Sequence, residues 1–140
     1  MGQIHLQKLC VGADGPADLL AWQQGRPDQW GGPIHVTRSK PRRAEEILAG
    51  GSLYWVMKGA IACRQRIIGL EEVRGDDGVK RCAIVLDRTL IRTTPTPRRA
   101  FQGWRYLEAD AAPRDIGPFD PAAEELPAEL QKALLDIGVF

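Results

Sequence analysis

The sequence contains no apolar run that approaches the ~20 residues needed for a membrane-spanning helix. Its N-terminus, MGQIHLQKLC, also lacks a basic segment followed by a long apolar stretch, so we expect no secretory signal. These two absences predict a cytoplasmic protein that does not bind membranes.

The familiar signatures of common enzyme classes are missing as well. There is no GxxxxGK[ST] phosphate loop and no GxGxxG, HExxH or GxSxG motif. The only histidines are His5 and His35, and neither lies at metal-ligand spacing from a cysteine or carboxylate. We therefore predict no metal and no cofactor, and we interpret His35 as a hydrogen-bonded strand residue or, alternatively, as part of a site.

The sequence contains few cysteines and no cysteine-pair motif. The three cysteines, Cys10, Cys63 and Cys82, form no CxxC pair, and each lies in an apolar, strand-like run. This usage is typical of reduced, buried thiols in a cytosolic protein.

The small net charge of +1 conceals a separation of charge along the chain. Residues 34–107 carry fifteen Lys and Arg against seven Asp and Glu, whereas the rest of the chain carries four against eleven. A segment with a net charge of +8 would attract a polyanion or a phosphorylated ligand. Alternatively, the acidic ends fold back onto the basic middle.

With 140 residues the chain is predicted to form a single domain, 1–140. Alternating apolar residues predict strands, and apolar stripes at helical spacing predict helices. The predicted helices cover 13–25, 42–51 and 126–138, and the predicted strands cover 4–11, 34–41, 52–59, 60–73, 80–87, 89–94 and 103–108.

This order predicts an α+β protein: a small, curled, mostly antiparallel sheet or partial β-barrel with two to three flanking helices. Asp77-Gly78 is a strong hairpin signal between two of the strands. Residues 95–99, PTPRR, are predicted to be a rigid linker, and the proline-rich residues 111–121 are predicted to be a loop.

A basic cluster lies where the second predicted strand runs into the second helix. It consists of Arg38, Lys40, Arg42 and Arg43. Cations are unfavourable at a helix start, so a negative partner is expected beside them. That partner is either a phosphate-bearing ligand or the neighbouring Glu45 and Glu46.

Arg64 and Arg66 alternate along a strand and therefore point to one face. Ala60 and Ala62 are expected on the same face, which would leave an open, positive surface. The alternative is that both arginines simply solvate the outer face of the sheet.

Aromatic residues accompany these cations. Tyr54 and Trp55 point to opposite faces of their strand, so one is expected in the core and the other is free to meet a ligand. Trp104 and Tyr106 share a face, opposite Arg105. Aromatic and Arg side chains together are typical of single-stranded nucleic-acid binding, although most such rings are core residues.

An enzymatic interpretation needs a base or a nucleophile. Lys58 is predicted to lie inside an apolar strand, where burial would make its amine reactive. Glu71 and Glu72 are its candidate partners.

The blocks HVTRSKPRRAEEILAGGSLYWVMKG, RQRIIGLEEV and FQGWRYLEADAAPRDI resemble a family of small uncharacterised bacterial proteins known only as a domain of unknown function. More distantly, the helix ending in ILAGG and the strands leading to IIGLEEV are similar to the PUA-like superfamily, which includes the ASCH and EVE domains. That likeness implies a small β-barrel with a helix beside a cleft for RNA or modified bases. It also implies Thr37, Lys40, Lys58 and Glu71 as candidates for a Lys, Thr and Glu hydrolytic set.

From these observations we predict that the protein binds RNA or a nucleotide-like ligand in one basic, aromatic-edged cleft. A small hydrolase of modified nucleosides and a protein–protein adaptor with a basic face stay open as alternatives, as does the oligomeric state. The predicted ligand-binding residues are Arg38, Lys40, Arg42, Arg43, Tyr54, Trp55, Lys58, Arg64, Arg66, Arg98, Arg99, Trp104 and Arg105.

Overall fold

The computed structural model describes residues 4–26 and 30–119. Within these ranges the chain forms eight strands, two α-helices and one short 3-10 helix. They are β1 (Ile4–Leu9), α1 (Pro16–Gln24), β2 (Ile34–Thr37), α2 (Ala44–Leu48), β3 (Ser52–Met57), β4 (Ala60–Arg74), β5 (Lys80–Leu86), β6 (Ile91–Pro97), β7 (Trp104–Glu108), the 3-10 helix (Ala109–Ala111) and β8 (Asp115–Pro118).

The strands form one open, mixed sheet that is organised around β4. The order is β2-β5-β4-β3-β1-β7, and β6 pairs with both β4 and β8. The first half of the fifteen-residue β4 pairs with β3 and β6, and its second half pairs with β5. The β1–β3 pair is parallel and the other described pairs are antiparallel. The predicted small sheet with few helices is therefore confirmed, but the sheet is not closed into a barrel.

Two apolar clusters lie on opposite faces of this sheet. Because side chains alternate along a strand, Trp55 packs into the larger cluster with Ile4, Leu6 and Leu53, whereas Tyr54 packs into the smaller one. The larger cluster also contains Leu19 of α1 and Ile47 of α2, so the helices cover that face. The smaller cluster has Phe101 and Ala112, from connecting segments, packed against it.

Both helices begin and end close to their predicted positions. In the sequence, Asp14 is a candidate cap and Pro16 suits the first helical position. Pro16 does begin α1, but the N-cap is Gly15, and Asp14 instead donates its backbone N–H to the Asp18 carboxylate at 3.0 Å. Helix α2 has only five residues and is followed by Gly50 and Gly51.

Two proline-rich segments differ from prediction. The predicted linker at 95–99 is largely strand, because β6 continues to Pro97, which pairs with Ala60. The predicted loop at 111–121 contains β8, an edge strand whose Pro118 pairs with Ile91. Proline is tolerated at sheet edges and at irregular positions, and the register between β4 and β6 shifts close to Pro95. The predicted third helix, 126–138, lies outside the described residues.

Candidate functional site

The basic cluster and the Trp104–Tyr106 pair come together as neighbours. The indole Nε1–H of Trp104 donates to the Ser39 carbonyl at 3.0 Å, and the backbone N–H of Arg43 donates to the Tyr106 hydroxyl at 3.2 Å. The two rings meet edge to face with centroids 5.0 Å apart, which confirms that they share a face. The loop between β2 and α2 is therefore fastened to β7.

Within that loop, Arg43 has protein partners and its neighbours are exposed. The Arg43 guanidinium donates to both carboxylate oxygens of Glu46, with 3.1 Å for the Nε contact, and lies 3.6 Å from Glu108. For Arg43, the negatively charged partner is therefore Glu46, one of the two neighbouring glutamates that the sequence offered as an alternative to a ligand. The other three cations of the basic cluster are exposed: Arg38, Lys40 and Arg42.

Arg64 and Arg66 do not form the open positive surface that was expected. The Arg64 guanidinium donates through Nε and NH2 to Asp115 at 2.8 and 2.7 Å, and through NH1 to the Ser52 hydroxyl at 2.8 Å. Arg66 is exposed.

The small residues that were expected on the same face as Arg64 and Arg66 are displaced, because β4 carries a bulge. The β3–β4 register shifts between Trp55 and Val56, so Ile61 joins the smaller apolar cluster with Val56. Ala62 packs against the larger cluster instead. The prediction that the small residues flank both arginines was therefore wrong, since a bulge reverses the alternation along the strand.

The three remaining predicted arginines lie near the connection between β6 and β7. Arg98 donates through Nε to the Gln7 side chain at 3.2 Å, and Arg99 is exposed. The Arg105 guanidinium lies over the Phe101 ring, 4.8 Å from its centroid.

Lys58 is not buried. It lies in the tight turn between β3 and β4 with φ of 50°, its side chain is 69% exposed, and its Nζ is 3.9 Å from the Asp14 carboxylate. The expectation of a buried, reactive amine was wrong, because the apolar run ends one residue earlier at Met57.

The hydrolytic candidates are also separated. The Thr37 hydroxyl donates to the Ser39 carbonyl at 3.1 Å, and Thr37 pairs with Cys82. Lys40 and Glu71 both act electrostatically on the Cys82 thiol, whose pKa is raised chiefly by burial. Lys58 lies in a different part of the molecule from these three.

Both members of the Tyr54–Trp55 pair are buried, at 4% and 2% exposure. The Trp55 indole N–H donates to the side-chain oxygen of Gln65 at 3.0 Å, and Gln65 in turn exchanges hydrogen bonds with Gln23 of α1 at 2.8 Å. Neither ring is the freely exposed member that the sequence led us to expect. The predicted binding residues therefore occupy several places rather than one cleft.

A different cleft, which we call the aromatic cleft, opens between α1, β1 and β2. It consists of two adjoining cavities of about 140 and 490 Å³, both lined by Trp22 and His35. Lys8, Cys10, Asp18 and Trp55 line the smaller cavity, and Arg26, Ile34 and Val36 line the larger. The larger volume is in the range of small-molecule sites, about 300–1,000 Å³.

His35 is the chemically distinctive group of the aromatic cleft. Its Nε2 atom is buried and has no hydrogen-bond partner in the structure. Its ring meets the Trp55 ring edge to face, with centroids 5.1 Å apart. Burial, with a smaller contribution from Lys8, lowers the pKa of His35 from 6.5 to about 4, so the imidazole is neutral at pH 7.

The aromatic cleft also has an exposed aromatic ring, that of Trp22, and two positively charged side chains, Arg26 and Lys8. Trp22 is 44% exposed, and the Arg26 guanidinium lies over its ring at 4.2 Å from the centroid. Lys8 pairs across the sheet with both Trp55 and Trp104, and burial lowers its pKa. Burial raises the pKa of Cys10 to about 11, so this thiol is neutral and is not an activated nucleophile.

Sequence reasoning missed most of this cleft. Trp22 lies on a helix predicted from its caps, and Lys8 lies on the first strand, but they are remote in sequence from each other and from His35. Two features of the sequence could have indicated the cleft together: a histidine, His35, in an apolar strand, and a tryptophan, Trp22, on the preceding helix.

Within the described ranges no group of three or more His, Cys, Asp or Glu residues is arranged to hold a metal ion. In the same ranges, no helix is long and apolar enough to cross a membrane.

Comparison with known proteins gives a family but no activity. No curated protein and no solved structure matches the chain. A family model described as "Protein of unknown function (DUF1489)" matches residues 6–140, which is nearly the whole chain. The chain therefore belongs to the DUF1489 family.

Proposed function

We propose that this protein binds RNA or a nucleotide-like ligand by taking one base into the aromatic cleft. The observation that carries the proposal is the buried, unpartnered Nε2 of His35 in a cleft that Trp22 and Trp55 also line. Burying a polar atom without a hydrogen-bond partner raises the free energy of the folded protein. A ligand atom that forms the missing hydrogen bond removes this penalty, which favours binding.

The chemistry of the cleft suits a heteroaromatic base. Trp22 offers a half-exposed ring on which a base can stack, and a neutral His35 can exchange a hydrogen bond with a polar base edge. The cleft walls are otherwise mainly apolar, as in most small-molecule sites, with few polar groups to fix orientation.

The phosphates of such a ligand have a positive surface beside the cleft. Lys8 lines the smaller cavity and pairs with Trp104, and Trp104 is hydrogen-bonded to Ser39 in the loop that carries the exposed Arg38, Lys40 and Arg42. This loop begins directly after β2, the strand that carries His35. The proposal thus keeps the basic cluster as the phosphate-binding element and replaces the buried Tyr54 and Trp55 with Trp22 as the stacking residue.

The PUA-like likeness and a cytoplasmic location belong to the same proposal. The sheet is open rather than closed into a barrel, so only the helix beside a cleft matches the arrangement that the likeness implies. The three free cysteines suit a reducing compartment.

Trp22→Ala tests the proposal directly. We expect it to weaken binding of a short, fluorescently labelled single-stranded RNA by roughly 5- to 150-fold, because stacking on one aromatic ring contributes about 1–3 kcal/mol. Binding is measured by fluorescence anisotropy at low and at moderate salt, since phosphate contacts weaken steeply as salt rises.

The matched control is Trp30→Ala, because Trp30 is 51% exposed and lines neither cavity of the aromatic cleft. An equal loss in both variants would contradict the proposal, and so would an unaltered protein that binds neither the RNA nor a monomeric nucleotide at low salt. If RNA fails to bind but a monomeric nucleotide binds and Trp22→Ala weakens it, the nucleotide form of the proposal holds.

A further inference from the structure

A second cleft, which we call the polar cleft, lies on the face of the sheet opposite to Trp55. It has a volume of about 310 Å³. It is lined by His5, Gly50, Tyr54, Arg64, Ala109, Ala112, Pro113 and Asp115. Its four ionisable side chains come from four different strands, β1, β3, β4 and β8, and no local sequence pattern indicates that they meet.

Arg64 is the one cationic side chain among the residues that line this cleft. It lies opposite Tyr54 in the β3–β4 register, and its side chain is only 20% exposed. Three of its five N–H groups are committed, two to the Asp115 carboxylate and one to the Ser52 hydroxyl. Two N–H groups therefore remain for another acceptor.

His5 contributes a further donor. Its Nδ1 accepts the backbone N–H of Ser52 at 2.9 Å, so in the neutral ring the proton is on Nε2. Burial first, and then the positive charge of Arg64, lowers the pKa of His5, which keeps the ring neutral at pH 7.

Tyr54 adds a hydroxyl to the same cleft. Tyr54 is 4% exposed, and its ring meets the His5 ring edge to face, with centroids 5.1 Å apart. The polar cleft thus presents donors from Tyr54, His5 and Arg64, while its one charged acceptor, Asp115, is already occupied by Arg64. A cleft with a surplus of donors fits an acceptor-rich group.

We propose that the polar cleft binds a small oxyanion, a carboxylate or a phosphate group, through Arg64, His5 and Tyr54, and that Asp115 competes with it for Arg64. Asp115 is suited to that competition because its side chain is 43% exposed and lies on β8, an edge strand that pairs only with β6 in the described ranges. The proposal does not depend on the aromatic cleft, which lies on the other face of the sheet.

Asp115→Asn is the informative variant. Removing the negative charge beside Arg64 removes repulsion of the incoming anion and frees the guanidinium fork, so inorganic phosphate or acetate should bind at least roughly tenfold tighter than to the unaltered protein. Binding is followed by NMR, from the ring signals of His5 and the Nε–H signal of Arg64 during titration to millimolar concentrations. The relative affinities for phosphate and acetate identify which oxyanion the cleft prefers.

The matched control is Asp77→Asn, which makes the same change of net charge. Asp77 also accepts two hydrogen bonds from an arginine, Arg81, at 3.1 and 2.9 Å, but it lies in the exposed β4–β5 turn. Tighter binding in Asp115→Asn alone, abolished in Arg64→Gln, supports the proposal. Equal changes in the two Asp→Asn variants overturn it. If Asp115→Asn does not fold, the titration of the unaltered protein decides: concerted shifts of His5 and Arg64 support the site, and unchanged signals contradict it.

Discussion

Gly51→Ala should destabilise the protein by about 3 kcal/mol or more, which is a large part of the roughly 5–15 kcal/mol typical of a native domain. Gly51 lies where α2 returns to β3, and its backbone N–H donates to the Ile47 carbonyl at 2.6 Å. A Cβ atom there would overlap the Ile4 carbonyl oxygen of β1 and lie 2.7 Å from that of Ile47. Because both obstacles are backbone atoms, α2 must move away from β1 to accommodate the methyl group.

Urea unfolding monitored by circular dichroism gives the free energy of unfolding for this comparison. Gly15→Ala is the control, because Gly15 has an extended φ of −167° and, apart from its own chain neighbours, no atom within 4 Å of the position that an added methyl group would occupy. Gly15→Ala should therefore lower the free energy of unfolding by less than about 1 kcal/mol. Equal stability of Gly51→Ala and the unaltered protein would show that α2 does not pack as closely on β1 as the structure has it.

The stability of the protein should fall steeply between pH 7 and pH 4 because of His35. In the unfolded chain this imidazole titrates near its ordinary value of 6.5, whereas burial holds its pKa at about 4 in the folded protein. Between these values the unfolded chain binds a proton that the folded protein excludes, so acid favours unfolding. The free energy of unfolding should drop by about 3 kcal/mol from this one group, at roughly 1.36 kcal/mol per pKa unit.

The measurement is urea unfolding at several pH values between 7 and 4, for the unaltered protein and for His35→Phe. Carboxylates with lowered pKa values, such as Asp77 and Asp115, contribute to the acid sensitivity of both proteins, and their share cancels in the difference. His35→Phe should therefore lose about 3 kcal/mol less than the unaltered protein over this range. Parallel pH profiles for the two proteins would mean that His35 is hydrated rather than buried. His35→Gln, which keeps a polar group without a titrating proton, provides the same comparison if the Phe variant packs poorly.

Local signals made much of the fold predictable. The Asp77-Gly78 turn predicted the β4–β5 hairpin, in which Gly78 has a φ of +76°, and apolar alternation predicted the strands that surround it. The start of α1 at Pro16 and the close of α2 before Gly50 and Gly51 also follow from local chemistry.

The remainder depends on contacts between distant segments, which the sequence does not encode locally. The bulge opposite Trp55 reversed the alternation on which the Ala62–Arg64 surface was predicted. Arg64 was interpreted as a free cation because its partner, Asp115, is 51 residues away in a segment predicted to be a loop. The two clefts escaped prediction for the same reason. The polar cleft is lined by residues of four strands, and the aromatic cleft by residues of α1, β1 and β2, which meet only in the folded protein.

The central claim is that a base enters the aromatic cleft and satisfies the buried Nε2 of His35. The most direct measurement is the ¹⁵N NMR spectrum of the two imidazole rings during addition of a short single-stranded RNA. We expect the Nε2 resonance of His35 to shift as it acquires a hydrogen-bond partner, while that of His5, on the opposite face of the sheet, stays in place. RNA binding that leaves the His35 resonances unchanged would contradict this account.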